Sequence, residues 1–234
     1  MPLVSGLIRV GHKGAGHVAP GNTAASFEAA LEHGVDMIEF DVLRTRDGRL
    51  VLAHDYADSE RRECMTLEDG LVHFAGEAYA GVELDVDLKL PGYEREVVDG
   101  LVRHRLVERS LVSTMYRESL DRLGELQPGL RRGWSVPRVR RNYLKAPLYV
   151  RLPAYGMAAY MRARLPGLAT TRIRSGGCEA IMSHQVLVSR RLVRQVHDAG
   201  GQLYVWTVDD APKIRALEAL GVDGVITNDP RLFD

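Results

Sequence analysis

Short apolar runs of three to seven residues alternate with stretches of helical spacing along the whole chain. That alternation restricts the fold to a parallel sheet covered by helices. Eight runs read as strands: Leu7–Gly11, Met37–Val42, Val82–Leu88, Ser110–Ser113, Arg131–Gly133, Ala180–Ser183, Gln202–Trp206 and Gly224–Ile226. Between them, Asn22 is placed to cap a helix that runs to His33 and stops at Gly34. A second helix covers Ser189–Ala199, and a third starts near Asp210, carries Pro212 in its first turn and ends before Gly221. LEHGVDMIEFD (Leu31–Asp41) is echoed by LEALGVDGVITND (Leu217–Asp229), each a helix end followed by Gly-Val-Asp and a strand, as repeated βα units require. Eight units in 234 residues predict one (β/α)8 TIM barrel over residues 1–234, with an open doubly wound sheet as the alternative.

Composition narrows the class. Apolar residues make up 45% of the chain, enough for a core of this size, and 31 basic residues balance 31 acidic ones. With no global positive field, nucleic acid is excluded as the general partner. Cys64 and Cys178 cannot form a disulfide scaffold, and no run approaches ~18 uninterrupted apolar residues. The opening MPLVSGLIRVGHKG lacks the basic region of a secretory leader. The expectation is a cytoplasmic protein in a reducing compartment.

Chemistry concentrates on two strands. In MIEFDV, Glu39 and Asp41 share one face, and Ile38, Phe40 and Val42 share the other. VELDVDLKL repeats the arrangement, with Glu83, Asp85, Asp87 and Lys89 opposite Val82, Leu84, Val86 and Leu88. In a barrel the polar faces turn inward, so neighbouring strands aim acids at one enclosed space. Carboxylates there need compensation from Lys89, other bases or a cation. An all-oxygen donor set suits Mg²⁺ or Ca²⁺. Glu39, Asp41 and Asp87 lie nearest the C-terminal strand ends, where barrel sites form, and are the candidate ligands. The alternative is an ion-pair network without metal. Glu83 and Asp85 sit deeper and take structural roles.

His12 follows the first strand and His54 ends the extended run RLVLAHD. On the barrel rim they flank the acids, and two imidazoles there can move protons on and off oxygens. His184, after the sixth strand, is a further rim candidate. His17, His33, His73, His104 and His197 are assigned no role.

The stretch GHKGAGHVAPGNTAASFEAALEHGVDMIEFDVLRTRDGRLVLAHD resembles the signature of the glycerophosphodiester phosphodiesterase family, which reads H-R-G, P-E-N-T, E-x-D-V-x-x-T-x-D-G and V-x-x-H-D. Likeness continues in DLKLPG, LYVWTVDD and GVDGVITNDP, so it spans most of residues 8–233. The resemblance implies a barrel enzyme that hydrolyses small-molecule or lysolipid phosphodiesters with a divalent cation. By matching position it implies Glu39, Asp41 and Asp87 as metal ligands and His12 and His54 as the acid/base pair. It implies Lys13 and Lys89 as phosphate contacts and Trp206 as a pocket wall. In the family the substrate's adjacent hydroxyl attacks phosphorus, giving a cyclic phosphate that water opens.

Three positions depart from the pattern. Lys13 stands for the usual Arg, losing a bidentate fork. Gly21 stands for the Glu of P-E-N-T, and Asp87 for the commoner Glu. Only 27 residues, Asp55–Gly81, separate His54 from the next strand, where many relatives carry a subdomain. Its absence predicts a more open mouth.

Between Glu125 and Glu179 there is no acid, but there are eleven cations: Arg131, Arg132, Arg138, Arg140, Arg141, Lys145, Arg151, Arg162, Arg164, Arg172 and Arg174. Trp134, Tyr143, Tyr149, Tyr155 and Tyr160 are interleaved. PAYGMAAYMRARLPG reads as an amphipathic helix. Residues 131–174 are therefore a candidate peripheral contact with an anionic membrane, with an ordinary barrel helix bearing solvated arginines, or a dimer contact, as the alternatives.

Other functional readings keep part of this pattern. Gly14–Ala19 matches G-x-G-x-x-A, but Pro20 and Gly21 interrupt the helix that a dinucleotide site needs. A barrel that binds a phosphodiester without cleaving it, and a phospholipase D-like enzyme that stops at the cyclic phosphate, use the same residues.

Overall fold

β1 (Ile8–His12) pairs in parallel with β2 (Met37–Arg44) on one side and with β9 (Gly224–Thr227) on the other, and this double pairing closes the sheet. The computed structural model describes residues 6–138 and 148–233. Around the ring from β2 follow β4 (Glu83–Leu88), β5 (Ser110–Thr114), β6 (Arg131–Val136), β7 (Ala180–His184) and β8 (Gln202–Trp206), all parallel, before β9. The eight parallel strands form a (β/α)8 barrel, as the alternation of the sequence predicts. Each predicted strand is present. β6 extends three residues past Gly133, because Trp134 and Val136 pack outward while Ser135 faces the interior cleft.

The helices around the barrel are α1 (Ala24–Glu32), α2 (Tyr56–Arg61), α3 (Leu67–Phe74), α4 (Glu94–Arg103), α5 (Arg117–Leu126), α6 (Leu148–Arg174), α7 (Arg190–Asp198) and α8 (Ala211–Leu220). The predicted cap of α1 is one residue off. Thr23 caps it, accepting from the Ser26 N–H in a reciprocal pair. Asn22 instead takes the left-handed conformation (φ 59°), and its side chain turns toward β2.

An additional short strand, β3 (Leu50–Leu52), returns antiparallel along the end of β2 through a turn at Gly48 (φ 90°). It lifts His54 to the mouth. The stretch between His54 and β4 holds α2, α3 and one 3₁₀ turn, Glu77–Tyr79.

Strand alternation splits the apolar residues into an inner set and an outer set. Inside, Val10, Met37, Leu111, Ala180, Met182, Tyr204 and Ile226 fill the barrel. A Cβ at Gly224 would lie 2.5 Å from the Tyr204 ring, so glycine there lets the ring cross the barrel. At the bottom, Arg131 Nη2 donates to Glu83 Oε2 at 2.8 Å, which gives Glu83 its structural partner. Outside, Phe40 stacks on Phe74 (centroids 4.9 Å), and Phe27 tilts against the same ring at 4.7 Å. This trio ties α1 and α3 to β2. Phe74→Ala is expected to cost about 3–5 kcal/mol of unfolding free energy in a denaturant titration. Val72→Ala, two residues away on the exposed face of α3, is expected to stay within about 0.5 kcal/mol.

Candidate active site

Register sets the site. His12 pairs with Glu39, Glu39 with Asp85, and Asp41 with Asp87, so adjacent strands place four acids and an imidazole on two successive interior levels near the C-terminal mouth. Carboxylate oxygens of Glu39, Asp41 and Asp87 lie within 4.8 Å of one another. Glu39 and Asp41 are buried and Asp87 is partly open. His12, Glu39, His54, Asp85, Asp87, Lys89 and Trp206 line a single cleft of about 140 Å³. Among the residues named by sequence, Lys13 and Asp41 stand behind that wall. Asp41 is covered, and the Lys13 ammonium lies 3.9 Å from its Oδ2.

The charges are uneven. Burial and then the Asp41 charge push the Glu39 carboxyl well above its ordinary range. Burial acts the same way on Asp41, but Lys89 and Lys13 outweigh it and hold that carboxyl well below its ordinary range. Burial alone would lower the Lys89 ammonium. Contacts with Asp41 and Asp87, and the nearby Glu39 charge, hold it well above the usual lysine range. Asp85 Oδ1 is buried without a hydrogen-bond donor, and Asp41 Oδ1 is met by the Lys89 ammonium. Three carboxylates this close together make an all-oxygen set that fits a hard divalent cation, and Glu39, Asp41 and Asp87 are the residues spaced to hold it.

Two asparagines, neither given a site role by sequence, fix this geometry. Asn22 Nδ2 donates to Asp41 Oδ2 at 2.8 Å, and Asn22 Oδ1 accepts the Asp41 N–H at 3.0 Å. Asn228, just past β9, lies 2.6 Å from His12 Nδ1 through its Oδ1. Its amide donates to Asp209 Oδ2 at 2.8 Å, which fixes the oxygen toward His12. His12 Nδ1–H therefore donates to Asn228, and Nε2 faces the acids, 3.8 Å from Glu39 Oε2. Burial and then the Lys13 charge lower the His12 pKa to about 4, so the ring is neutral at pH 7. The sequence signals were present: Asn22 belongs to the G-N-T segment and Asn228 follows a strand at the catalytic end.

His54 is half exposed at the rim, with Nδ1 3.2 Å from Asp55 Oδ2. Trp206 donates from Nε1 to the Met182 carbonyl at 2.8 Å and forms one wall. His184 takes a structural place: its Nδ1 accepts the Val186 N–H, and its ring meets Trp206 edge-on at 5.0 Å.

Lys13 and Gly21 are sterically linked. A Cβ at Gly21 would come 2.8 Å from Lys13 Cβ, and the Asn22 N–H donates to the Lys13 carbonyl at 3.1 Å. The glycine lets the β1–α1 loop pass this close to Lys13.

The sequence profile of the Glycerophosphoryl diester phosphodiesterase family matches residues 12–88 and 63–232. The chain belongs to that family. A glycerophosphodiester phosphodiesterase of Caldanaerobacter subterraneus is 27% identical over 255 residues, covering 94% of this chain and 93% of the relative. One of Bacillus subtilis is 24% identical over 271 residues, covering 97% and 85%. A crystal structure of a glycerophosphoryl diester phosphodiesterase homologue from Silicibacter pomeroyi superposes with a TM-score of 0.74 at 20% identity, covering 97% of this chain and 92% of that one. An Oleispira antarctica phosphodiesterase, solved with the product sn-glycerol-3-phosphate, superposes at 0.69 and 20% identity, covering 97% and 94%.

Within this family member, Asp85 supplies a test of the site's charge. Burial and then the Asp87 charge raise its carboxyl to about 8, with Ser113 opposing. Below the unfolded value of 3.8 both states are protonated; toward pH 8 the unfolded chain ionises first, so stability is lost as pH rises. In chelator, Asp85→Asn is expected to gain stability relative to the parent steadily from 3.8 to about 8, read by denaturant unfolding at each pH.

Proposed function

We propose that this chain hydrolyses glycerophosphodiesters to a glycerol phosphate and an alcohol, with lysophospholipids within its substrate class. The observation that carries the reading is the convergence of Glu39 and Asp87 with His12 and His54 at one cleft in the barrel mouth, with Asp41 within 4.8 Å of the first two beneath its surface. Family membership and the product held by the Oleispira antarctica relative support the same substrate class.

Glu39, Asp41 and Asp87 would hold a divalent cation, Mg²⁺ or Ca²⁺, which supplies positive charge against the phosphoryl oxygens when bound. Lys89, at the junction of Asp41, Asp87 and the cleft, brings a second positive charge to the phosphate side. His12 acts as the base. Its Nδ1–H is committed to Asn228, its ring is neutral, and Nε2 is left to accept the proton of the substrate hydroxyl beside the phosphate. That oxygen adds to phosphorus as the bond to the alcohol breaks. His54, held through Nδ1 by Asp55, donates a proton to the departing alkoxide. A cyclic phosphate results. In the second half His54 takes a proton from water, the water oxygen adds to phosphorus, and the His12 proton returns to the ring-opened hydroxyl. Trp206 lines the side on which the substrate sits. Lys13, partly exposed and 3.9 Å from Asp41 Oδ2, adds positive charge beside the carboxylates and is a further contact for the phosphate.

The test is a panel of glycerophosphodiesters and lysophospholipids assayed with and without chelator, with products followed by phosphorus NMR. A linear phosphomonoester that disappears on chelation is expected. Accumulating cyclic phosphate would assign a phospholipase D-like endpoint, and no turnover on any member would sink the hydrolase reading. His12→Ala is expected to lower kcat about 10²–10⁴-fold with divalent-cation binding retained in calorimetry. Asn228→Ala is expected to lose about 10–100-fold through disorientation of His12, again with cation binding retained.

A further inference from the structure

α6 is unlike the other helices of the barrel. It runs 27 residues, whereas the other seven described α-helices run six to ten. Only its second half is needed to cover the barrel: Leu165, Ala169 and Ile173, at i, i+4 and i+8, are buried against the outer core with Ile181, Leu192 and Val196. Met161 is the first partly buried side chain of that stripe, and the helix meets the 3₁₀ turn Gln185–Leu187, which follows β7 at the catalytic rim. Barrel helices run antiparallel to their strands, so the residues ahead of Met161 extend past the rim. From Leu148 that is about 20 Å of helix at about 1.5 Å per residue.

Among the described side chains of this part, three large apolar ones are exposed. Tyr155, Met157 and Tyr160 are 54%, 59% and 59% exposed, and Leu168 further down is 42% exposed. Met157, Tyr160, Arg164 and Leu168 share one helical face beside the buried stripe, and the Arg164 guanidinium lies 6.0 Å from the Tyr160 ring centre. Arg162 is exposed as well. The expectation of a basic face over residues 131–174 is thus narrowed. Arg131, Arg132 and Arg172 are ion-paired with Glu83, Glu179 and Asp121. Arg140, Arg141 and Lys145 lie outside the described residues. The Arg151 side chain likewise lies outside the described set, and Arg138, Arg162, Arg164 and Arg174 remain as exposed cations in a run without acids from 126 to 178. Among the described residues no helix is long and apolar enough to cross a membrane.

We infer that the projecting half of α6 is a docking element for an anionic phospholipid bilayer, set beside the catalytic mouth. Met157 and Tyr160 enter the interface, and Arg164, on the same face, pairs with a lipid phosphate; the absence of carboxylates from this run is the complementarity that favours an anionic lipid surface over a protein face. The inference rests on the proposed activity only for its consequence, which is that substrate leaving the bilayer meets the cleft directly. Docking itself is independent of turnover.

The experiment is co-sedimentation of the full chain with phosphatidylcholine vesicles, with or without phosphatidylglycerol, at low and high salt. Binding is expected to phosphatidylglycerol vesicles at low salt and to be released by high salt. The R164E and M157S/Y160S variants are each expected to bind about tenfold more weakly or worse, while their turnover of a water-soluble glycerophosphodiester equals that of the parent. No sedimentation with phosphatidylglycerol vesicles, or equal binding by both variants, overturns the docking surface. A concentration-dependent dimer in sedimentation velocity that M157S/Y160S abolishes also overturns it, in favour of a second copy as the occupant. Loss of turnover by the parent would count against the catalytic reading and leave vesicle binding untouched.

Discussion

The arrangement of the site depends on one electrostatic compromise, a lysine ammonium held between two aspartates inside a barrel. Lys89, Asp41 and Asp87 lie on neighbouring strands with their side chains on the same interior face. Without the ammonium, Asp41 would be a covered carboxyl beside three others, with only Lys13 at 3.9 Å and the Asn22 amide to hold its charge. With it, the charge balance is incomplete, and Glu39 and Asp85 favour their protonated forms. The carboxyls of the centre outnumber the ammonium groups that face them, a balance that the divalent cation proposed for this cluster would complete.

Around this centre, orientation is handed outward through short polar contacts. Asp209 holds Asn228, and Asn228 holds His12. The β1–α1 loop holds Asn22, and Asn22 holds Asp41. Both chains begin on loops at the carboxyl ends of strands, where side chains can be exchanged without disturbing the apolar layer of Val10, Met37, Leu111 and Ile226 beneath them.

Much of this was legible before any coordinates. Period-two alternation in MIEFDV and VELDVDLKL is a direct record of inside and outside, so the facing of Glu39, Asp41, Asp87 and Lys89 followed from spacing alone. The eight strands followed for the same reason. What spacing could not reveal was anything decided by a loop. Asn22 reads as a helix cap because asparagine favours that position, but Thr23 competes for it and wins, and a left-handed backbone frees Asn22 for Asp41. Asn228 contacts a residue 216 positions away, a distance no local pattern reports. The extended run RLVLAHD became a strand only because β2 runs on past the barrel to give it a partner. The sequence reads α6 as amphipathic; among its described side chains the buried stripe lies in the second half, where Leu165, Ala169 and Ile173 face the barrel wall.

The tight closure at Gly21 bears on how this sequence can change over time. In this loop conformation a Cβ at 21 would lie 2.8 Å from the Lys13 Cβ. The family pattern places a glutamate at this position, so that side chain is admitted only with a backbone shift around residues 13 and 21, and the glycine marks a loop path of its own in this chain.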